Sequence, residues 1–219
     1  MLRLVCANLN YSSWSLRPWL ALERAGAPYK PHDVGFKTRD GWKDRILSFS
    51  GAGRVPILID GSLSVHESLA ICEYVAELFP EAQLWPSETA LRARGRAISC
   101  EMLSSFSALR SAMPMNIRAR SRRPQTEPNV DADIARILQI WDASMNATGG
   151  PFLLGSFSIA DCMYAPVVTR FRTYGVELPA SARSYSEAIF SLPEFAKLEQ
   201  LIANEPAIAE SDAYINPQH

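Results

Sequence analysis

Two pairs of residues could do chemistry together: Ser12-Ser13, and further on Glu67-Ser68. Each pair stands where a strand-like stretch gives way to a helical pattern. A hydroxyl at a helix start sits beside backbone N–H groups that lack intrahelical partners and beside the positive end of the helix dipole. That setting favours an anion such as a thiolate, carboxylate or phosphate. Serine is also a common helix cap, so each pair, taken singly, reads first as structural. Around the first pair the chain runs Asn10-Tyr11-Ser12-Ser13-Trp14-Ser15-Leu16-Arg17-Pro18-Trp19-Leu20. Proline has no backbone N–H and fits only the first helical turn. With Pro18 as the third helical residue, Ser15 is the N-cap, and Ser12 and Ser13 lie in the turn just before the helix.

The elements that must position these residues follow from periodicity. Residues 2–8 read as a short buried strand, and the first helix ends near Gly26, with Pro28 beyond it. A second strand fits 29–35, and a short helical piece fits Trp42–Phe49. Val55-Pro56-Ile57-Leu58-Ile59 is a strand that closes on the Asp60-Gly61 turn, with Ser62–His66 as its returning partner. Pro56 belongs at a strand start or an edge, and an exposed edge would leave backbone groups free for an extended peptide. From Glu67 the period changes: Ile71, Tyr74, Val75, Leu78 and Phe79 share one helical face, which Pro80 ends. One βαβ unit followed by ββα predicts a small mixed sheet with helices on its faces.

Residues 80–89 hold two prolines and no periodicity, and read as a linker. Beyond them strand signals are scarce. Helices fit 88–113, 130–147, 159–174 and about 193–204, an all-helical second half. Ser158-Ile159-Ala160-Asp161 has the form of a capping box with Asp in place of Glu. Arg118, Arg120, Arg122 and Arg123 cluster after Met113-Pro114-Met115, either as a solvated turn or as cationic walls of an anionic substrate pocket.

Composition excludes several classes. Lys+Arg 22 against Asp+Glu 23 leaves a net charge of −1 over 219 residues, which argues against a nucleic-acid partner. Cys6, Cys72, Cys100 and Cys162 are far apart, fit no CxxC or zinc spacing, and read as reduced core residues of a cytosolic protein. His32, His66 and His219 are scattered, so no metal is expected. No signal-like segment or bilayer-length apolar run is present, and a cytoplasmic location is expected.

Tyr11-Ser12-Ser13-Trp14-Ser15-Leu16-Arg17, Gly53-Arg54-Val55-Pro56, His66-Glu67-Ser68-Leu69-Ala70-Ile71-Cys72-Glu73-Tyr74 and Ser158-Ile159-Ala160-Asp161 stand in a fixed order. Together they resemble the cytosolic glutathione transferases, and the serine-type, zeta-like class in particular. The resemblance spans nearly the whole chain. It implies an α/β thioredoxin-like, glutathione-binding domain at 1–80, a linker at 81–89, and an all-α helical bundle at 90–219 that forms the second-substrate site. It also implies a homodimer, a detoxifying transferase activity, and glutathione as co-substrate with no metal.

Residue by residue, the resemblance implies a cis Pro56, with the Val55 backbone pairing the cysteinyl part of glutathione. Glu67 and Ser68 would hold its γ-glutamyl end, and Arg54 and Lys43 are candidates for its glycyl carboxylate. A hydroxyl of Ser12 or Ser13 would donate to the sulfur. Spacing to Arg17 favours Ser13, and the zeta-like register also admits Ser12. A free thiol has a pKa of about 8.5, and such a donor shifts the equilibrium towards the nucleophilic thiolate. Zeta enzymes carry cysteine where this chain has Trp14, which places a bulky aromatic at the site entrance. Trp14, Arg118 and Arg120 are the second-substrate candidates. Two other readings are a glutathione-dependent cis–trans isomerase, of maleylacetoacetate isomerase type, and a non-catalytic ligand-binding module on the same fold.

Overall fold

A computed structural model describes residues 1–35, 40–125 and 127–212. His219 lies outside the described residues. The chain opens with β1 (Leu2–Cys6), α1 (Ser13–Arg24), β2 (Tyr29–Asp33), α2 (Trp42–Leu47), the hairpin β3 (Ile57–Asp60) and β4 (Leu63–His66), and α3 (Ser68–Leu78). The strands form one mixed sheet in the order β2-β1-β3-β4. β1 pairs in parallel with β2 and antiparallel with β3, which pairs antiparallel with β4. Leu4 and Leu58 face a core shared with Leu16 and Leu20 of α1 and Ile71 and Val75 of α3. Val5 and Ile57 alternate to the other face, where Ile46 of α2 covers them. This is the expected thioredoxin-like arrangement.

Among its described residues the second half holds only helices and two isolated bridges: α4 (Thr89–Ser104), α5 (Ser107–Ala112), α6 (Val130–Thr148), α7 (Ile159–Tyr174), α8 (Ala180–Phe190), α9 (Pro193–Ala203) and α10 (Ala209–Asp212). α7 is the axis of this bundle, with nearly every residue buried. Trp141 of α6 packs its ring 4.8 Å from Tyr185, 5.5 Å from Phe171 and 6.2 Å from Tyr164. α1 packs against both α3 and α7, so the first helix is the joint between the two halves.

Four expectations need correction. α1 begins at Ser13, and Ser12 rather than Ser15 is its N-cap. Ser12 supplies two acceptors to the first turn: its carbonyl takes the Leu16 N–H at 3.1 Å and its hydroxyl takes the Ser15 N–H at 3.3 Å. Pro18 therefore stands inside α1 rather than near its first residue. Of the two places expected for Pro56, a strand start or an edge, it takes the start, immediately before β3, and not an edge, because β3 runs between β1 and β4. The predicted helix over 88–113 is two helices. Phe106 breaks it, buried in a left-handed conformation (φ 62°) that turns Leu109 and Ala112 into the core. Cys100 is exposed, unlike the other three cysteines.

α8 carries no sequence prediction. Its core face is Ala182, Tyr185, Ser186 and Ile189, and its remaining serines dilute the periodic signal.

Candidate functional site

The loop before β3, the start of α3 and the first turn of α1 meet at a cleft of about 200 Å³ lined by Trp14, Arg54, Val55, Pro56 and Glu67. The peptide bond between Val55 and Pro56 is cis. Val55 lies just outside the sheet ladders, which begin at Ile57, so it borders the cleft rather than continuing the strand.

Glu67 is the N-cap of α3, held at φ 71° and ψ 128°, and its side chain makes no capping bond. A side chain at positive φ is costly, on the order of 1–3 kcal/mol, and persists only where surroundings impose it. The Glu67 carboxylate instead lies 3.8 Å from the Arg54 guanidinium. Ser68, the first helical residue, is fully buried, and its hydroxyl has no hydrogen-bond partner. A buried hydroxyl without a partner costs about 1–3 kcal/mol, so this arrangement is better suited to a bound ligand than to an empty cap. Together with the free N–H groups of the α3 start, Ser68 suits a carboxylate.

The α1 turn is tied down from several sides. The Asn10 carbonyl accepts the Ile117 N–H at 3.2 Å, and its side chain donates to Asn116 at 2.9 Å and accepts the Arg118 N–H at 2.9 Å. Glu205 accepts the Leu9 and Asn10 N–H groups at 2.8 and 3.0 Å. Ser12 and Ser13 are both buried and do not line the cleft; Trp14, the next residue, does. Ser12 Oγ donates to Ser15 Oγ at 2.9 Å, and Ser15 Oγ accepts the Ala7 N–H at 3.1 Å. Ser13 Oγ accepts from Arg170 Nη2 at 3.3 Å.

Trp14 has a clear physical setting. The Arg17 guanidinium stacks 4.5 Å from its ring centroid, and that of Arg110 lies at 5.7 Å. Arg17 is fully buried, and only its Nε finds an oxygen, the Met163 carbonyl at 3.2 Å; Nη1 and Nη2 have none. Burial, then the neighbouring Arg170 and Arg110 charges, push Arg17 down to about 9. The Trp14 ring face is thus part of what compensates that cation.

The other predicted residues lie elsewhere. Lys43 is exposed on α2 and does not line the cleft. Arg118 and Arg120 border a different cavity of about 410 Å³, with Asn116, Arg122 and Asp212. Arg118 is committed there to the Ile202 and Glu205 carbonyls at 3.0 and 2.8 Å and to the Tyr11 hydroxyl at 3.1 Å. Arg120 bonds the Ile117 and Ala119 carbonyls. Arg118 thus braces the α1 turn, while Arg120 is held within its own loop, roles that neither of the two sequence readings anticipated. Sequence reasoning also missed Arg110 and Arg170. A signal existed for Arg170, which falls three residues after Val167 and beside Phe171 on the apolar face of α7. Among the described residues no group of His, Cys, Asp or Glu is placed to hold a metal.

Family profiles match in two blocks: the Glutathione S-transferase N-terminal domain over residues 11–78 and the Glutathione S-transferase C-terminal domain over residues 118–200. A zeta-class glutathione S-transferase of Euphorbia esula is 26% identical over 190 residues, covering 84% of each chain. A probable maleylacetoacetate isomerase of Caenorhabditis elegans is 23% identical over 186 residues, covering 84% of this chain and 86% of that one. A crystal structure of a glutathione transferase homolog from Burkholderia, with bound glutathione, superposes with a TM-score of 0.70 at 20% identity, covering 94% of this chain and 99% of the other.

Proposed function

Since the chain belongs to the glutathione S-transferase family, we propose that it conjugates the glutathione thiolate to small electrophilic, partly apolar substrates. The buried, unpartnered Ser68 hydroxyl at the start of α3 is the observation that carries this reading. Ser68 and the α3 N–H groups would take the γ-glutamyl carboxylate. Glu67 would face the ammonium, with Arg54, 3.8 Å from its carboxylate, towards the glycyl end. The Val55 backbone beside cis-Pro56 would pair with the cysteinyl unit. Glutathione laid along these groups carries its thiol towards Trp14 and the adjoining serines. The thiol proton leaves to water, the sulfur attacks the electrophilic carbon, and the substrate's leaving group departs with the bonding pair. A serine hydroxyl keeps its proton throughout and shares it with the sulfur as a hydrogen bond.

The proposal extends to a homodimer, the typical assembly of this family, and to a cytoplasmic, detoxifying role. Three buried, unpaired cysteines suit a reducing compartment. No described helix is long and apolar enough to cross a membrane. The domain division at 1–80, 81–89 and 90–219 belongs to the same reading, and the second-substrate pocket would open between the cleft and the helical half.

The test is retention on immobilised glutathione together with turnover of an activated aryl halide. Ser68→Ala should weaken retention, and the Ser12→Ala, Ser13→Ala double variant should slow turnover. Retention without turnover of any electrophile would favour a binding module. The similarity to a probable maleylacetoacetate isomerase supports a second reading, glutathione-dependent cis–trans isomerisation. It requires turnover of maleylacetone. Because Arg118 does not border the Trp14 cleft, neutralising it should act through the stability of the α1 turn rather than through substrate affinity.

A further inference from the structure

Adjacent serines at the start of α1 are bonded in different ways. The Ser12 hydroxyl is spent inside the cap: it accepts the Ser15 N–H at 3.3 Å and donates to Ser15 Oγ at 2.9 Å. The Ser13 oxygen accepts from Arg170 Nη2 at 3.3 Å, and no acceptor for the Ser13 proton stands among the described residues. A hydroxyl has one proton and two lone pairs, so a guanidinium on one lone pair turns the proton away from itself. A charged donor also polarises the O–H bond and strengthens the hydrogen bond it can give.

Arg170 is itself fixed. Its Nε donates to the Met113 carbonyl at 2.8 Å and its Nη1 to the Pro166 carbonyl at 3.3 Å, and it is only 4% exposed. We propose that Arg170 is a positioning residue that fixes Ser13, rather than Ser12, as the hydroxyl donating a hydrogen bond to the glutathione sulfur, an inference that rests on the transferase reading above.

The charges around this pair point the same way. Arg17 on α1, Arg110 on α5 and Arg170 on α7 surround the Trp14-Ser13 segment. The groups that face them are Asp133 of α6, beside Arg110, and the neutral Cys72 of α3 and Tyr164 and Tyr174 of α7. Burial, and then the Arg110 charge, lower Arg170 to about 10, which leaves it protonated at neutral pH. Among the described residues, three cations thus stand against one carboxylate. An anionic sulfur beside Ser13 supplies the missing counter-charge, and the same field draws the thiol towards its thiolate.

The experiment uses the full chain and glutathione, following the ultraviolet absorbance of the bound thiolate against pH, with affinity from calorimetry. Arg170→Gln should raise the bound thiol's pKa by about one unit, roughly a tenfold loss of thiolate below that pKa. Affinity should change by less than about threefold. Ser13→Ala should raise the pKa similarly, the double variant should go no further than either single one, and Arg170→Lys should recover part of the shift. If Arg170→Gln fails to fold by circular dichroism, Ser13→Ala alone decides, because it leaves Arg170 in place. An unchanged thiol pKa in Ser13→Ala, or a rise confined to Ser12→Ala, overturns the assignment while the transferase reading stands. Absence of glutathione binding to the parent protein removes both.

Discussion

The helices α7 and α3 both start on serines, and they use them in opposite ways. At α7 the cap is closed. Asp161 Oδ2 accepts the Ser158 N–H at 2.8 Å and the Ser158 hydroxyl at 3.1 Å, and Oδ1 accepts the Leu153 N–H at 3.1 Å. At α3 the cap is open: the Glu67 side chain makes no capping bond, Glu67 sits at positive φ, and Ser68 keeps a buried hydroxyl with no partner. A helix start whose side chains satisfy one another is a fastening. One whose donors are left unspent, at a cost in stability, is suited to receiving a ligand.

The largest effect should come from closing or opening the wrong cap. Asp161→Ala removes the acceptor of three hydrogen bonds inside the core and should cost about 3 kcal/mol in urea unfolding. The same carboxyl gives a pH signature. Burial lifts it to about 6 from an ordinary 3.8, against the lowering effect of the Leu153 and Ser158 donors. The folded state therefore holds this proton more tightly than the unfolded one. The contribution to stability is full below the ordinary value and is lost as pH rises through about 6. In Asp161→Asn that segment of the stability–pH curve should flatten.

Ser68→Ala should do the reverse of Asp161→Ala. It should leave stability unchanged or raised by up to about 1 kcal/mol, and weaken glutathione binding roughly tenfold, the worth of one hydrogen bond to a charged group. A stability loss as large as that of Asp161→Ala would erase the distinction between the two caps. Glu67→Gly should relieve the positive φ and gain about 1 kcal/mol in thermal unfolding, while lowering glutathione affinity. Ser158→Ala should cost about 1 kcal/mol on the ordinary N-cap scale, with glutathione affinity intact.

The start of α1 combines features of both caps, and it is where sequence and structure part furthest. Pro18 and the serine cluster announce a helix start, but not which serine caps it. That choice depends on Ala7 donating to Ser15 and on Ser12 reaching the same hydroxyl, contacts set by where β1 delivers the chain. The break at Phe106 was hidden for a related reason. The apolar period runs on through it, and only the packing of Phe106 and Leu109 imposes the left-handed residue.

What the sequence determined by itself was local: the apolar runs of β1 and β3, the Asp60-Gly61 turn into β4, the period of α3, α6, α7 and α9, the Ser158-Asp161 cap, and the Val55-Pro56 and Glu67-Ser68 pairs, each fixed by residues within a few positions of one another. Tertiary structure decided what depends on distant partners. Arg118, exposed on any helical or loop reading, is drawn into a brace for the α1 turn. Arg170, which falls on an apolar helical face, arrives at Ser13 across 157 positions of sequence. Short-range periodicity reports which side of an element is buried. It carries no information about which buried charge meets which hydroxyl, because that meeting is set by the docking of α7 on α1.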